Sequence, residues 1–173
     1  MRNVVIFCFL IFIAIGCDKE NKYPKAEVSS TVNDEVWNSN VPFAFKSDIG
    51  VNTLDFQFGF EQWGYQSALL LYNVDKTIGV QQLRKTNYDS LYLINCVFHN
   101  SQEEDVTGDE YDILEADSAN NWVNITSAKD DFTKDIRGTF SATFVRTKKF
   151  MNSPYPDTLR FRNGTFYISK LWD

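Results

Sequence analysis

His99 is the only histidine in 173 residues, and Cys96 stands three positions before it. A thiol beside an imidazole is the pairing that activates a nucleophile. The spacing argues against that pairing here. In the apolar run LYLINCVFH, residues 91–99, strand geometry sends positions three apart to opposite faces. Read as a strand, the run buries Cys96 and leaves His99 near its solvent-facing end. Catalytic triads and most zinc centres need imidazole groups, often more than one. A second cluster is EEDVTGDE, residues 103–110, with five carboxylates in eight positions. Carboxylates suit calcium, and Gly108 could shape a loop. The spacing is not that of an EF-hand, and a solvated acidic turn is the plainer reading. Paired acids also serve glycosidases, but among 23 acids pairs arise by chance, and Asp130, Asp131 and Asp135 carry no more weight. Trp37, Trp63, Trp122 and Trp172 could stack on a sugar or form an apolar contact surface. Trp37 and Trp122 adjoin strand patterns and read as core. Trp63 reads as a loop aromatic, and Trp172 is nearly terminal. No catalytic residue, metal site or cofactor follows from these groups.

The remaining reactive residue is Cys17. Arg2 precedes an apolar run from Val4 to Gly16, and Asp18 follows the cysteine. As a helix, 13 residues span roughly 20 Å, short of the 30 Å or so of a bilayer core. A positive start, a short apolar run and a small residue before the cut make a secretory signal. Ala14-Ile15-Gly16-Cys17 resembles the lipobox of bacterial lipoproteins, with Ala14 where Leu is usual. The resemblance implies cleavage after Gly16 and acylation of Cys17. One fatty chain anchors only marginally and two or more hold firmly, so an acylated Cys17 implies a membrane partner without a spanning helix. Residues 1–16 are then signal peptide, 17–25 the lipidated cysteine and a polar tether, and 26–173 one domain. Asp18 directly after the cysteine fits inner-membrane retention in some bacteria. In others an acidic run such as DKE accompanies export to the surface, and the outer membrane is the expected location.

With Cys8 removed and Cys17 acylated, Cys96 has no disulfide partner. A domain of about 150 residues folds without such staples. The net charge of −6, with no basic stripe to offset it, speaks against nucleic acid as a partner.

The elements that would position any site read as strands. In LDFQFGF, Leu54, Phe56, Phe58 and Phe60 alternate with Asp55, Gln57 and Gly59. In GTFSATFVR, Phe140, Ala142 and Phe144 alternate with Thr139, Ser141 and Thr143. Leu159 and Phe161 alternate with Arg160 and Arg162 until Asn163–Gly164 breaks the pattern, as a bulge or tight turn does. Phe56, Phe58, Phe140 and Phe144 are expected to point inward. KAEVSSTV and EVWNSN, joined at Asn33–Asp34, read as a hairpin. SALLLYNV reads as strand, DEYDILEA fits strand or helix, and NNWVNITS reads as strand. The last five strands are expected at 91–99, 110–116, 122–128, 136–146 and 158–169. The total is about ten antiparallel strands in a meander, closing into a β-sandwich or a flattened lipocalin-like barrel. The tripeptide Gly-Thr-Phe occurs at 138–140 and again at 164–166, too few copies for a repeat architecture.

The layout VNDEVW, NITSAKDD, IRGTFSATF, RFRNGTFYI resembles an uncharacterised family of bacterial β-rich lipoprotein domains. The likeness implies export, lipidation and an all-β domain, and no catalytic residue. The expected function is a non-enzymatic, lipid-anchored envelope protein that binds a protein or glycan partner. The alternative is a lipocalin-like carrier with a small apolar ligand inside its barrel.

Overall fold

The computed structural model describes residues 26–39, 41–47, 52–62, 65–85, 95–101, 107–150 and 153–172. These form an all-β fold. The strands are β1 (Ala26–Val32), β2 (Glu35–Ser39), β3 (Val41–Lys46), β4 (Thr53–Gln62), β5 (Tyr65–Asp75), β6 (Gly79–Gln82), β7 (Asn95–Ser101), β8 (Thr107–Ile113), β9 (Trp122–Lys129), β10 (Lys134–Lys148) and β11 (Thr158–Lys170). A short 3₁₀ helix, Glu115–Asn120, joins β8 to β9. One sheet runs in the order β2-β1-β11-β10-β8-β7-β5-β4-β3, with β6 and β9 off that path.

The local chemistry explains the strand ends. Asn33 and Asp34 take φ of 50° and 71° in the β1–β2 hairpin. Two left-handed residues match the twist of a two-residue turn, and Asn and Asp tolerate that region best after Gly. The Asn33 side chain also ties the turn to β11, accepting from the Arg160 amide and donating to the Thr158 carbonyl, each at 2.9 Å.

The meander expected for the last five strands holds only in part. β7 pairs with β8, and β10 with β9 and β11. β8 and β9 do not pair with each other in the sheet. They share one side of the 15-residue β10, β9 along Lys134–Ser141 and β8 along Phe144–Lys148. A strand this long can serve two neighbours, and the short 3₁₀ helix spans the gap between them. β1 closes onto β11, which brings the first and last strands together.

Bulges curl the sheet. In β11, Phe140 faces Gly164 while Ala142 faces Phe161, so one residue is extra, and Asn163 sits at φ 54°. The side-chain parity flips there. Leu159 and Phe161 point inward before the bulge, and Phe166 and Ile168 after it. β5 repeats the device at Asn73, φ 58°, where Leu69 and Leu71 give way to Val74 as core residues. The Asp55 carboxylate accepts the Asn73 amide at 2.8 Å, which gives this buried acid a partner. Bulges sharpen the local twist. The sheet becomes a curled half-barrel, and its two ends approach. The Ser39 hydroxyl donates to the Gly59 carbonyl, and the Trp172 amide to the Ala44 carbonyl at 2.8 Å.

Aromatic rings fill the space inside. Phe56, Phe58, Phe140 and Phe144 are all buried as the alternation requires. Phe58 stands 5.6 Å from Phe140 and from Phe166, and Phe98 stands 5.7 Å from Phe161. The two Gly-Thr-Phe tripeptides meet here. Gly138 pairs with Phe166 and Phe140 with Gly164, so each ring lies over the other strand's glycine. A Cβ on Gly164 would sit 2.6 Å from the Phe140 ring, and one on Gly138 would come closer still to the Phe166 ring.

Ser141 and Thr143, which alternate with the inward residues of β10, are also buried. The Ser141 hydroxyl donates to the Phe161 carbonyl at 3.3 Å, and the 3₁₀ helix with the residue after it supplies partners for Thr143. Thr143 donates from its amide to the Asn121 side chain at 2.8 Å and from its hydroxyl to Asp117 at 2.5 Å. Arg162 then donates to Asp117 at 3.0 Å and to Thr143 at 2.8 Å.

Candidate functional site

A groove of about 610 Å³ lies on the outer face of β2, β1, β11 and β10. Sheet register builds it. Val28, Gly138 and Phe166 point inward, so their neighbours along each strand point out. Glu27, Tyr167 and Arg137 then lie in one row across three strands, and Asn38, Ser29 and Thr165 in the next. The groove starts just beyond the β11 bulge, where the twist is greatest.

Its most specific feature is a chain of contacts that fixes a cation in place. The Arg137 guanidinium lies over the Tyr167 ring, 4.2 Å from its centre. The Tyr167 hydroxyl donates to Asp135 at 2.9 Å, and Lys129 donates to the other carboxylate oxygen at 2.8 Å. The Lys129 hydrogen bond, then that of Tyr167, hold the Asp135 carboxyl below the usual carboxylate range. Among the described residues Arg137 forms no side-chain hydrogen bond or ion pair. A guanidinium stacked on an aromatic face keeps its donor fork pre-organised. With the amide of Asn38 and the hydroxyls of Ser29 and Thr165 alongside, the groove offers donors and acceptors beside an aromatic ring. That set suits the hydroxyls and ring faces of a saccharide, or a polar peptide surface.

The residues singled out by chemistry are spread apart. Cys17 and Trp63 lie outside the described residues. β7 runs through Cys96 and His99, which face Leu71 and Ala68 of β5 in the ladder, and the side chains at both positions lie outside the description. Of the acidic run, Glu103, Glu104 and Asp105 are outside the described residues. Asp109 is wholly buried and accepts from the Phe150 amide at 2.6 Å and from the Ser153 hydroxyl. Arg146, also buried, reaches to 3.4 Å of the same carboxylate. Glu110 pairs with Lys148 at 2.8 Å. Beside the Asp109–Arg146 pair, burial pushes the Tyr111 hydroxyl well above its ordinary pKa. Among the described residues no group of three or more His, Cys, Asp or Glu could hold a metal ion, and no helix is long and apolar enough to cross a membrane.

Of the tryptophans, Trp37 is core, edge-on to Phe161 at 5.3 Å. Trp122 is half-buried between β6 and β10. Trp172 is 40% exposed. Sequence reasoning passed over Arg137 and Tyr167. Their outward parity was legible, but their adjacency depends on the pairing of β10 with β11. Comparison with protein-family models, with curated proteins and with solved structures finds nothing that matches this chain.

Proposed function

We propose that this protein is a non-enzymatic, lipid-anchored binding module of the bacterial cell envelope. Acylated Cys17 holds it to the membrane, with the outer membrane favoured by the acidic run after the cysteine. A glycan or protein partner docks on the outer face of the sheet. The observation that carries the binding reading is the contrast between inside and outside. Inside, phenylalanine rings from facing strands pack at centroid distances of 5.3–6.5 Å, the spacing of a packed core. That favours a module over a lipocalin-like carrier, which needs room where Phe58, Phe140 and Phe166 meet. Outside, Arg137 and Tyr167 form a fixed, accessible recognition pair. The anchor and the envelope location rest on the sequence of residues 1–25 and on the resemblance to lipoprotein domains.

The test is a pull-down from envelope extract with the full chain and its Arg137→Ala variant, with and without periodate. A glycan partner is retained by the wild type, lost after periodate and lost with Arg137→Ala. A protein partner survives periodate and is still lost with Arg137→Ala. Equal retention by both chains would remove the groove from the proposal.

A further inference from the structure

The outer groove has a direction. Its lining comes from β2, β1, β11 and β10 in turn, so it runs across the strands rather than along them. One bank is the row Asn38, Ser29, Thr165, which the pairing extends to Thr139 on β10. The other bank is the row Glu27, Tyr167, Arg137. On the first bank Asn38, Ser29 and Thr165 are exposed and Thr139 is half-buried. Among the described residues none of these four makes a side-chain hydrogen bond. Hydroxyls elsewhere in the sheet are satisfied internally. Ser30 donates to the Arg162 carbonyl at 2.8 Å, Ser67 bonds the Tyr155 hydroxyl at 2.8 Å, and Thr143 bonds Asp117. The bank of the groove thus keeps its hydroxyls and its amide for what lies outside. On the second bank Arg137 holds its donor fork over the Tyr167 ring. Among the described lining residues one acid, Glu27, and one base, Arg137, leave the groove formally neutral, in a chain whose net charge is −6.

The spacing selects the kind of chain that fits. Neighbouring strands lie about 4.8 Å apart, so the side chains along each bank repeat at that step. An extended peptide advances only about 3.3 Å per residue, and drifts out of step with the row. An extended β-linked glycan advances by close to one strand spacing per sugar. Each sugar presents hydroxyls that donate and accept, as Ser, Thr and Asn side chains do. We propose that the groove binds a neutral, extended β-linked glycan laid across the strands, one sugar to a strand from β2 to β10. Sugar hydroxyls meet Asn38, Ser29, Thr165 and Thr139 on one side, and a vicinal pair meets the Arg137 fork on the other. This rests on the reading of the outer face as the docking surface and names its ligand. A uronic chain would set its carboxylates beside Glu27 in a groove with no net charge to hold them. Beyond Thr139 the row passes to Asn124 on β9 and ends at Val80 on β6, which is apolar and exposed. The polar track therefore has a finite length.

The full chain, isotope-labelled and held in a detergent without a sugar head group, is titrated with β-1,4-linked oligomers of glucose, mannose and xylose, from dimer to hexamer. The reporters are the Asn38 side-chain amide and the Arg137 Nε–H, assigned with Asn38→Ser and Arg137→Lys. They stand on β2 and β10, so a chain that spans the groove moves both. One series should shift both saturably, with affinity rising from dimer to tetramer and level beyond the pentamer. Thr165→Val with Ser29→Ala removes two hydroxyls from the middle of the row and should weaken the tetramer about tenfold, with the remaining spectrum unchanged as proof of folding. Tetragalacturonate, the anionic comparison, should bind more weakly than the best neutral tetramer. The proposal is overturned if no series shifts either reporter, if the dimer binds as tightly as the tetramer, or if the anionic chain binds best. An Arg137-dependent protein partner in the pull-down, with no response to any oligomer, would keep the outer face as the docking surface and remove the glycan from it.

Discussion

Gly138 and Gly164 are the residues whose size matters most, because each is roofed by a phenylalanine from the neighbouring strand. A methyl group on Gly138 would stand 2.5 Å from the Asn124 carbonyl, a backbone atom that cannot swing aside. Overpacking of this kind costs about 1–3 kcal/mol. Gly138→Ala should therefore lower the urea midpoint clearly. Gly59→Ala should do little, because its nearest neighbour would be a carbonyl 3.9 Å away. Asp117 gives a prediction of another kind. Hydrogen bonds from Thr143 and Asn120 lead the causes that hold its carboxyl below the usual range, with Arg162 adding to them. A depressed native pKa stabilises the fold above the unfolded value of about 3.9, and that stabilisation is lost as pH falls through the native value. Asp117→Asn should thus lie below wild type in thermal midpoint near neutral pH, and the gap should narrow as the pH drops below about 4. The inward phenylalanines were legible from alternation alone. The burial of Ser141 and Thr143 was not, because Thr143 finds its partners in a 3₁₀ helix distant in sequence and in the residue after it, and strand periodicity carries no record of what lies over a face.

At the scale of elements, the β10–β11 connection is secured by one buried ion pair. Asp109, wholly buried, and Arg146, with its side chain 5% exposed, sit 3.4 Å apart. Asp109 holds Phe150 and Ser153, while Arg146 holds the Tyr155 carbonyl and reaches Asp157 at 3.2 Å. The Tyr111 hydroxyl adds a bond to the Pro156 carbonyl at 2.8 Å. Removing one partner of such a pair strands a buried charge, at a cost of about 3–5 kcal/mol. Arg146→Met should be destabilised on that scale by chemical denaturation. The double variant Asp109→Asn, Arg146→Met should be less destabilised than the sum of the two single variants. None of this was readable from EEDVTGDE, where Asp109 looks like any other acid of the run. Its burial depends on Arg146 arriving from another strand. The β11 bulge was readable, because Asn163–Gly164 interrupts a clean alternation. Its counterpart in β5 was hidden, because SALLLYNV is apolar at almost every position and parity leaves no mark there.

For the whole molecule, the proposed reading assigns recognition to the outer surface of the half-barrel and attachment to Cys17. Cys17→Ser should abolish lipid labelling and leave an uncleaved or freely soluble product. A mature-sized Cys17→Ser chain that stayed with the membrane would count against the anchor. The measurement that bears most directly on the central claim, a filled interior with its partner outside, is native mass spectrometry of the full chain extracted gently from membranes. The chain should appear at the mass of the acylated polypeptide, with no small apolar guest released when it unfolds. A stoichiometric apolar ligand that is retained in the native state, freed on unfolding and lost in Phe58→Ala would contradict that claim and make the interior the site.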